Sequence, residues 1–222
     1  MIHKLFSIEH DHIVSVLKQM GCELSTLWGG QEPKNAIRLH TPLDAPQRKV
    51  ILVGDISVGK SSLVQRLLGK GFREEHVSTI GTAFASVTLE YEAGKPPIVM
   101  HVWDTAGEER FRSMSRYFFR GTNVGILVFD VQVKDSLNKL QSWYEDIVNA
   151  APEARYVVAA NKIDCSPNLR AVSTEEGSSF AKSINALYVE TSAKTEEGVM
   201  KLFQTAASIC ASLDHAQALP SS

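Results

Sequence analysis

Short apolar runs alternate with amphipathic stretches along most of this chain. "KVILVG" begins at Lys49. "FASVTLEYE" (Phe84–Glu92) and "PPIVMHVW" (Pro96–Trp103) flank Ala93–Lys95 and predict a hairpin. "NVGILVFDV" (Asn123–Val131), "RYVVAANK" (Arg155–Lys162) and "ALYVETS" (Ala186–Ser192) are three further apolar runs. Between them, helical patterns cover Ser61–Leu68, Asp135–Asn149, Thr174–Ile184 and Thr195–Leu213. Ser173, with Glu176 three positions on, forms a capping box for the third of these. Continuously apolar strands alternating with helices predict an α/β fold, its parallel sheet covered on both faces.

The first part of the chain has a different texture. Ile8, Ile13, Val14, Leu17 and Met20 recur at roughly helical spacing, and Gly21 is placed to cap that segment. A polar, turn-rich stretch, "GGQEPKNAIRLHTPLDAPQRK", follows. Two readings stay open: a tethered extension, or a packed regulatory helix, which would need a partner surface because short amphipathic helices are marginal alone. The expected organisation is an N-terminal extension over residues 1–47, a folded domain over 48–213 and a flexible tail over 214–222.

Composition narrows the classes. A chain of 222 residues suits one domain plus an appendage. Its net charge of −2 predicts no nucleic-acid partner and no cationic membrane-facing surface. Cys22, Cys165 and Cys210 are scattered without metal spacing, so reduced thiols in a cytosolic protein are expected. No apolar stretch reaches the ~18 residues of a membrane span. The opening "MIHKLFSIEHDH" lacks the apolar core of a signal peptide.

The chemistry starts at "GDISVGKSS" (Gly54–Ser62), which fits G-x-x-x-x-G-K-[ST] after a strand and before a helix. Glycines let the backbone turn tightly, so its N–H groups point at phosphate oxygens, and the helix dipole adds to the attraction. The expected phosphate-binding set is Gly54, Asp55, Ser57, Val58, Gly59, Lys60, Ser61 and Ser62. Lys60 would reach the outer phosphates, and the Ser61 hydroxyl would bind Mg²⁺. Asp104 ends a later strand and Gly107 follows it: the aspartate can hold Mg²⁺, usually through water, and the Gly107 N–H can meet the terminal phosphate. Thr79, in "VSTIGTAF", can complete the metal shell only with a third phosphate present. "NKID" (Asn161–Asp164) follows the fifth strand. A carboxylate such as Asp164 accepts from the N1–H and N2–H₂ edge of guanine, which adenine cannot offer. The aliphatic stem of Lys162 can lie along the base. "TSAK" (Thr191–Lys194) ends the sixth strand; Ser192, Ala193 and Lys194 complete the base set, with the Ala193 N–H aimed at guanine O6. An ATP-using enzyme is disfavoured by "NKID".

These segments in this order resemble the Ras superfamily of small GTPases, and its Rab branch in particular. The resemblance covers about residues 48–213 and includes "IGTAF" (Ile80–Phe84), "WDTAGEERF" (Trp103–Phe111), "FFRGT" (Phe118–Thr122) and "LVFDV" (Leu127–Val131). It implies a six-stranded, mostly parallel sheet with five helices, in a monomer that binds GTP or GDP with Mg²⁺. It implies effectors, an exchange factor and a GTPase-activating protein. Phe72 should edge onto the guanine ring. Phe84, Trp103 and Phe118 resemble the aromatic surface triad through which Rab effectors sense the nucleotide, although core packing would explain three aromatics as well.

Three departures from the family pattern stand out. Glu108 replaces the usual catalytic glutamine, in an expected catalytic set of Glu108, Lys60, Thr79 and Gly107. A carboxylate cannot donate to developing phosphate charge, and at about 5 Å from a like charge it is repelled by roughly 3 kcal/mol. Very slow intrinsic hydrolysis is expected, or else a carboxylate with a raised pKa acting as a base. Ile56 stands where the family prefers a small residue, either crowding an arginine finger or folding harmlessly aside. The last residues, "HAQALPSS", carry no prenylation motif, so any membrane contact is expected through partners or the N-terminal segment. Two functions follow: a slow GTPase switch served by an activating protein that can supply a glutamine in trans, or a GTP-loaded scaffold with negligible turnover.

Overall fold

A computed structural model describes residues 47–73, 82–107 and 118–217. Six strands form one sheet: β1 (Gln47–Val53), β2 (Thr82–Leu89), β3 (Ile98–Thr105), β4 (Val124–Asp130), β5 (Arg155–Asn161) and β6 (Leu187–Thr191). Their order across the sheet is β2-β3-β1-β4-β5-β6. The predicted hairpin pairs β2 antiparallel to β3, with Phe84 opposite Trp103. All other neighbours run parallel. The α-helices among the described residues are α1 (Lys60–Leu67), α2 (Lys134–Asn138), α3 (Leu140–Ala150), α4 (Thr174–Ser183) and α5 (Val199–Gln217), with a 3₁₀ turn at Pro167–Leu169. α2 and α3 together form one interrupted helical segment, so four helical segments and the 3₁₀ turn flank the sheet.

Alternation along the strands sends side chains to two cores. From β1, Val50 and Leu52 join Leu63, Leu202, Phe203 and Ala206 under α1 and α5. Ile51 and Val53 join Phe129, Leu140, Trp143 and Ile147 under α3. Each fully buried side chain of this size contributes about 1.5–3 kcal/mol by leaving water. Both faces of β4 are covered and all seven of its residues are buried, as a continuously apolar run requires.

Two predicted helices differ from the observed ones. The span Asp135–Asn149 is interrupted at Lys139. There the Ser142 hydroxyl donates to the Lys139 carbonyl at 2.8 Å, competing for a helical acceptor, and the Lys139 ammonium bridges Asp135 at 3.1 Å and Asp55 at 2.9 Å. The last helix starts at Val199 rather than Thr195, because the residues before it form a turn, closed by the Ser192 N–H on the Glu197 carbonyl at 2.8 Å. Gly198 sits at φ 68°, and a Cβ there would lie 2.0 Å from the Glu190 carbonyl oxygen. The helix then runs to Gln217, past the Leu213 boundary and into the segment expected as a tail. The capping box forms as predicted: Ser173 Oγ accepts from the Glu176 N–H at 3.2 Å, and Glu176 Oε2 from the Ser173 N–H at 3.0 Å. No helix among the described residues is long and apolar enough to cross a membrane.

Cys165 and Cys210 are free thiols. Burial on the core-facing side of α5 pushes the Cys210 thiol up to about 12. Thiolate is the reactive form, so Cys210 is expected to resist iodoacetamide at pH 8 while half-buried Cys165 is labelled first. Peptide mapping after timed alkylation checks this; equal labelling of both in the native protein would contradict the burial.

Candidate nucleotide-binding site

In doubly wound sheets, ligands bind beyond the carboxyl ends of the strands, where the strand order reverses. β1 occupies that position here, with β3 on one side and β4 on the other. Its end carries the loop Gly54–Gly59, whose Ser57 holds a left-handed backbone at φ 60°. For a non-glycine residue that conformation stores strain, of a kind that collects at binding sites. Lys60 opens α1 and is 5% exposed. Its ammonium donates back to the Gly54 carbonyl at 2.9 Å and the Asp55 carbonyl at 2.8 Å, closing the loop. Burial lowers its pKa to about 8, against the pull of the Asp104 and Asp55 carboxylates.

Asp104, at the end of β3, faces this loop. Burial raises its pKa, while a hydrogen bond with Ser61 and the charge of Lys60 act the other way. Asp104 Oδ1 is buried and has no hydrogen-bond partner among the described residues. An acceptor left so costs about 1–3 kcal/mol. Such an acceptor fits a site that binds a ligand. A hard cation suits it: a carboxylate oxygen beside the Ser61 hydroxyl is a Mg²⁺-type donor set. Gly107 approaches the loop so closely that a Cβ would lie 2.5 Å from the Asp55 carbonyl oxygen and 2.6 Å from Lys60 Nζ.

The base loops are tied to the phosphate loop by one side chain. Asn161 Nδ2 donates to the Val58 carbonyl at 2.8 Å. Its Oδ1 accepts from the Thr191 hydroxyl at 3.2 Å and from the Ala193 N–H at 3.2 Å. The Ala193 N–H, expected to point at guanine O6, is thus directed at Asn161 in this structure. Ser192 Oγ donates to Asp164 Oδ1 at 2.6 Å and accepts from the Thr195 N–H at 3.0 Å. Lys162 has φ 69°, and its ammonium meets buried Asp130 at 2.6 Å, so the stem is fixed at both ends. Phe72 lies half-buried, packed against the core cluster that includes Leu63 and Leu67 of α1. Thr79 and Glu108 lie outside the described residues, as do Cys22 and the apolar positions of the extension.

Sequence reasoning missed three contributors. Asp130 anchors Lys162, a role that its place in "LVFDV" does not signal. Lys139 pairs with Asp55 Oδ2 at 2.9 Å, and Asp55 Oδ1 accepts from the Ile56 N–H at 2.7 Å. Arg66 reaches from α1 to the loop after β6. Nothing local signals the last two, since their partners are distant in sequence. Ile56 stands 46% exposed at the rim of the loop. Phe84, Trp103 and Phe118 form a row, with ring centroids 5.0 Å and 5.6 Å apart, and Trp103 is partly buried against the core under α3. Phe84 is 49% exposed, which favours the surface reading over core packing for that ring.

A frame of this kind, built around one strand-to-helix turn at the carboxyl ends of parallel strands, defines a P-loop nucleotide-binding protein. A model of the Ras family matches residues 49–212. GTP-binding protein ypt5 of Schizosaccharomyces pombe is 38% identical over 172 residues, covering 77% of this chain and 78% of that protein. GTP-binding protein YPT52 of Saccharomyces cerevisiae is 36% identical over 185 residues, covering 71% and 79%. Ras-related protein Rab-17 of Mus musculus is 38% identical over 161 residues, covering 72% and 73%. The chain belongs to the Ras family, in its Rab branch. It is accordingly a GTP-binding switch of membrane trafficking that hydrolyses GTP to GDP, and membership implies effectors, exchange factors and GTPase-activating proteins in general.

Proposed function

We propose that this chain is a slow Rab-like switch in which Glu108 and Ile56 hold intrinsic GTP hydrolysis well below the family's usual rate. The observation that carries the nucleotide site is the Asn161 bridge, which joins the Val58 carbonyl to the loop of Ala193 and so sets phosphate and base sites at one spacing. Gly54–Ser62 cradle the phosphates, and Lys60 reaches the outer ones. Ser61 and Asp104 hold Mg²⁺, joined by Thr79 with the triphosphate; the ion supplies neutralising charge between the outer phosphates. The orphaned Asp104 oxygen supports that assignment. Asp164 reads the guanine edge, the loop that carries Ala193 faces O6, and Lys162 and Phe72 pack against the base.

The Phe84–Trp103–Phe118 row serves as the effector surface. Residues 48–213 carry the switch, and 1–47 serve as an extension that docks a partner. The protein is a monomer in the cytoplasm that meets membranes through its partners. Family membership favours this switch over a scaffold without turnover.

Glu108→Gln tests the slow-hydrolysis reading. The amide regains a donor and removes a like charge worth roughly 3 kcal/mol at ~5 Å. Intrinsic hydrolysis is then expected to rise by about 10²-fold, toward the ~10⁻⁴ s⁻¹ range of Ras-type proteins. Phosphate release in single turnover at fixed Mg²⁺ measures it. Adding Ile56→Gly should raise the rate further, and more with an activating protein than without one. A native protein that already hydrolyses GTP at the usual rate, slowed by Glu108→Gln, would make the carboxylate a working catalytic group.

A further inference from the structure

Arg66 has no part in the phosphate motif, yet its side chain reaches from α1 to the base side of the site. Its Nε donates to the Ala193 carbonyl at 2.7 Å, across 127 positions of sequence. One terminal nitrogen donates to the Lys194 carbonyl at 2.8 Å, and the other pairs with Glu196. The side chain is 14% exposed, while Glu196 is 66% exposed. The exposed carboxylate adds little, since an ion pair open to solvent on one side is worth little. The two carbonyls are the substantive contacts. They belong to the loop after β6, and a planar guanidinium holds its N–H donors in a rigid fork that meets both at once.

The same loop is held from its opposite side. Asn161 Oδ1 takes the Ala193 N–H, and Ser192 Oγ takes the Thr195 N–H. Ala193 is therefore gripped at its N–H by the NKID loop and at its carbonyl by α1. Because α1 begins at Lys60, its rotation is set by the phosphate loop. We infer that Arg66 is a positioning residue for guanine recognition: it carries the placement of the phosphate loop into the O6-facing part of the base site. This rests on the assignment of Asp164 and Ala193 to the base edge.

The test uses the full chain and competition binding with GDP, IDP and ADP. Hypoxanthine keeps the O6 of guanine but lacks its 2-amino group, and adenine has neither. Arg66→Gln is expected to weaken GDP and IDP together, by about tenfold or more. ADP should be unchanged and the GDP-to-IDP ratio preserved, because that ratio reads Asp164. Arg66→Lys, which keeps one donor direction, should fall between the native protein and Arg66→Gln. Glu196→Gln should stay within about twofold of native. Should Arg66→Gln fail to fold, the lysine variant decides by the same pattern at smaller amplitude. Unchanged GDP binding, or equal weakening of all three nucleotides, would overturn the inference, the latter by showing a general scaffold effect. Asp164→Asn run alongside separates the two failures: it alters the GDP-to-IDP ratio if the base site is correctly placed, whatever Arg66 does.

Discussion

Asp164→Asn is expected to lower GTP affinity by about 10²–10⁴-fold and to turn the preference toward xanthine nucleotides. One carboxylate oxygen is held by the Ser192 hydroxyl at 2.6 Å, which fixes the plane of the group. Lone pairs remain for the N1–H and N2–H₂ of guanine. Hydrogen bonds to a charged acceptor contribute about 1.5–3 kcal/mol each, so two of them correspond to that range of affinity. An amide keeps the acceptor for N1–H but sets a donor against the exocyclic amine, leaving two donors facing each other. Xanthine carries a carbonyl there and restores the match. Competition between GTP, XTP and ATP measures the switch. Unchanged GTP affinity in the variant would remove Asp164 from the base site.

Gly107→Ala should separate the two nucleotide states. The added Cβ meets the Asp55 carbonyl oxygen at 2.5 Å, its carbon at 2.6 Å and Lys60 Nζ at 2.6 Å. Two of these atoms are loop backbone and cannot swing aside. The loop is itself held by Lys60, by Lys139 on Asp55 and by Asn161 on Val58. The Gly107 side must therefore give way, and its N–H leaves the position where a terminal phosphate would meet it. Losing one such preorganised donor costs about 10²–10³ in rate. Hydrolysis in single turnover is expected to fall by that factor, with GDP affinity unchanged within a few fold. An alanine variant that hydrolyses GTP at the native rate would show that this close approach is not kept during turnover.

The nucleotide frame was legible in the chain because its parts are local. A phosphate loop is a run of consecutive residues whose glycines and lysine must stand at fixed offsets. NKID and TSAK are likewise short stretches at strand ends. The strands could be read from apolar runs, and the start of α4 from the Ser173–Glu176 box, since both signals act within a few residues. Helix periodicity failed where a distant group intervened. It ran through Lys139, whose side chain is taken by Asp55, 84 positions away. It also began the last helix too early, at Thr195, because that loop is shaped by Asn161 and Arg66.

The amino-acid sequence by itself determined the fold class, the phosphate loop, the base-reading segments and the resemblance to Rab proteins, all carried by residue type at short spacing. Tertiary structure alone decided how those pieces are held together. It placed Asn161 between the two halves of the site, left Asp104 Oδ1 buried without a partner and brought Gly107 against the Asp55 carbonyl. It laid Phe84, Trp103 and Phe118 in one row and sent Arg66 across to the base loop. The physical reason is the range of the interactions. Backbone conformation and amphipathic burial are set by near neighbours in the chain. A hydrogen bond across the sheet depends on where folding brings two distant segments, and no local pattern records that distance.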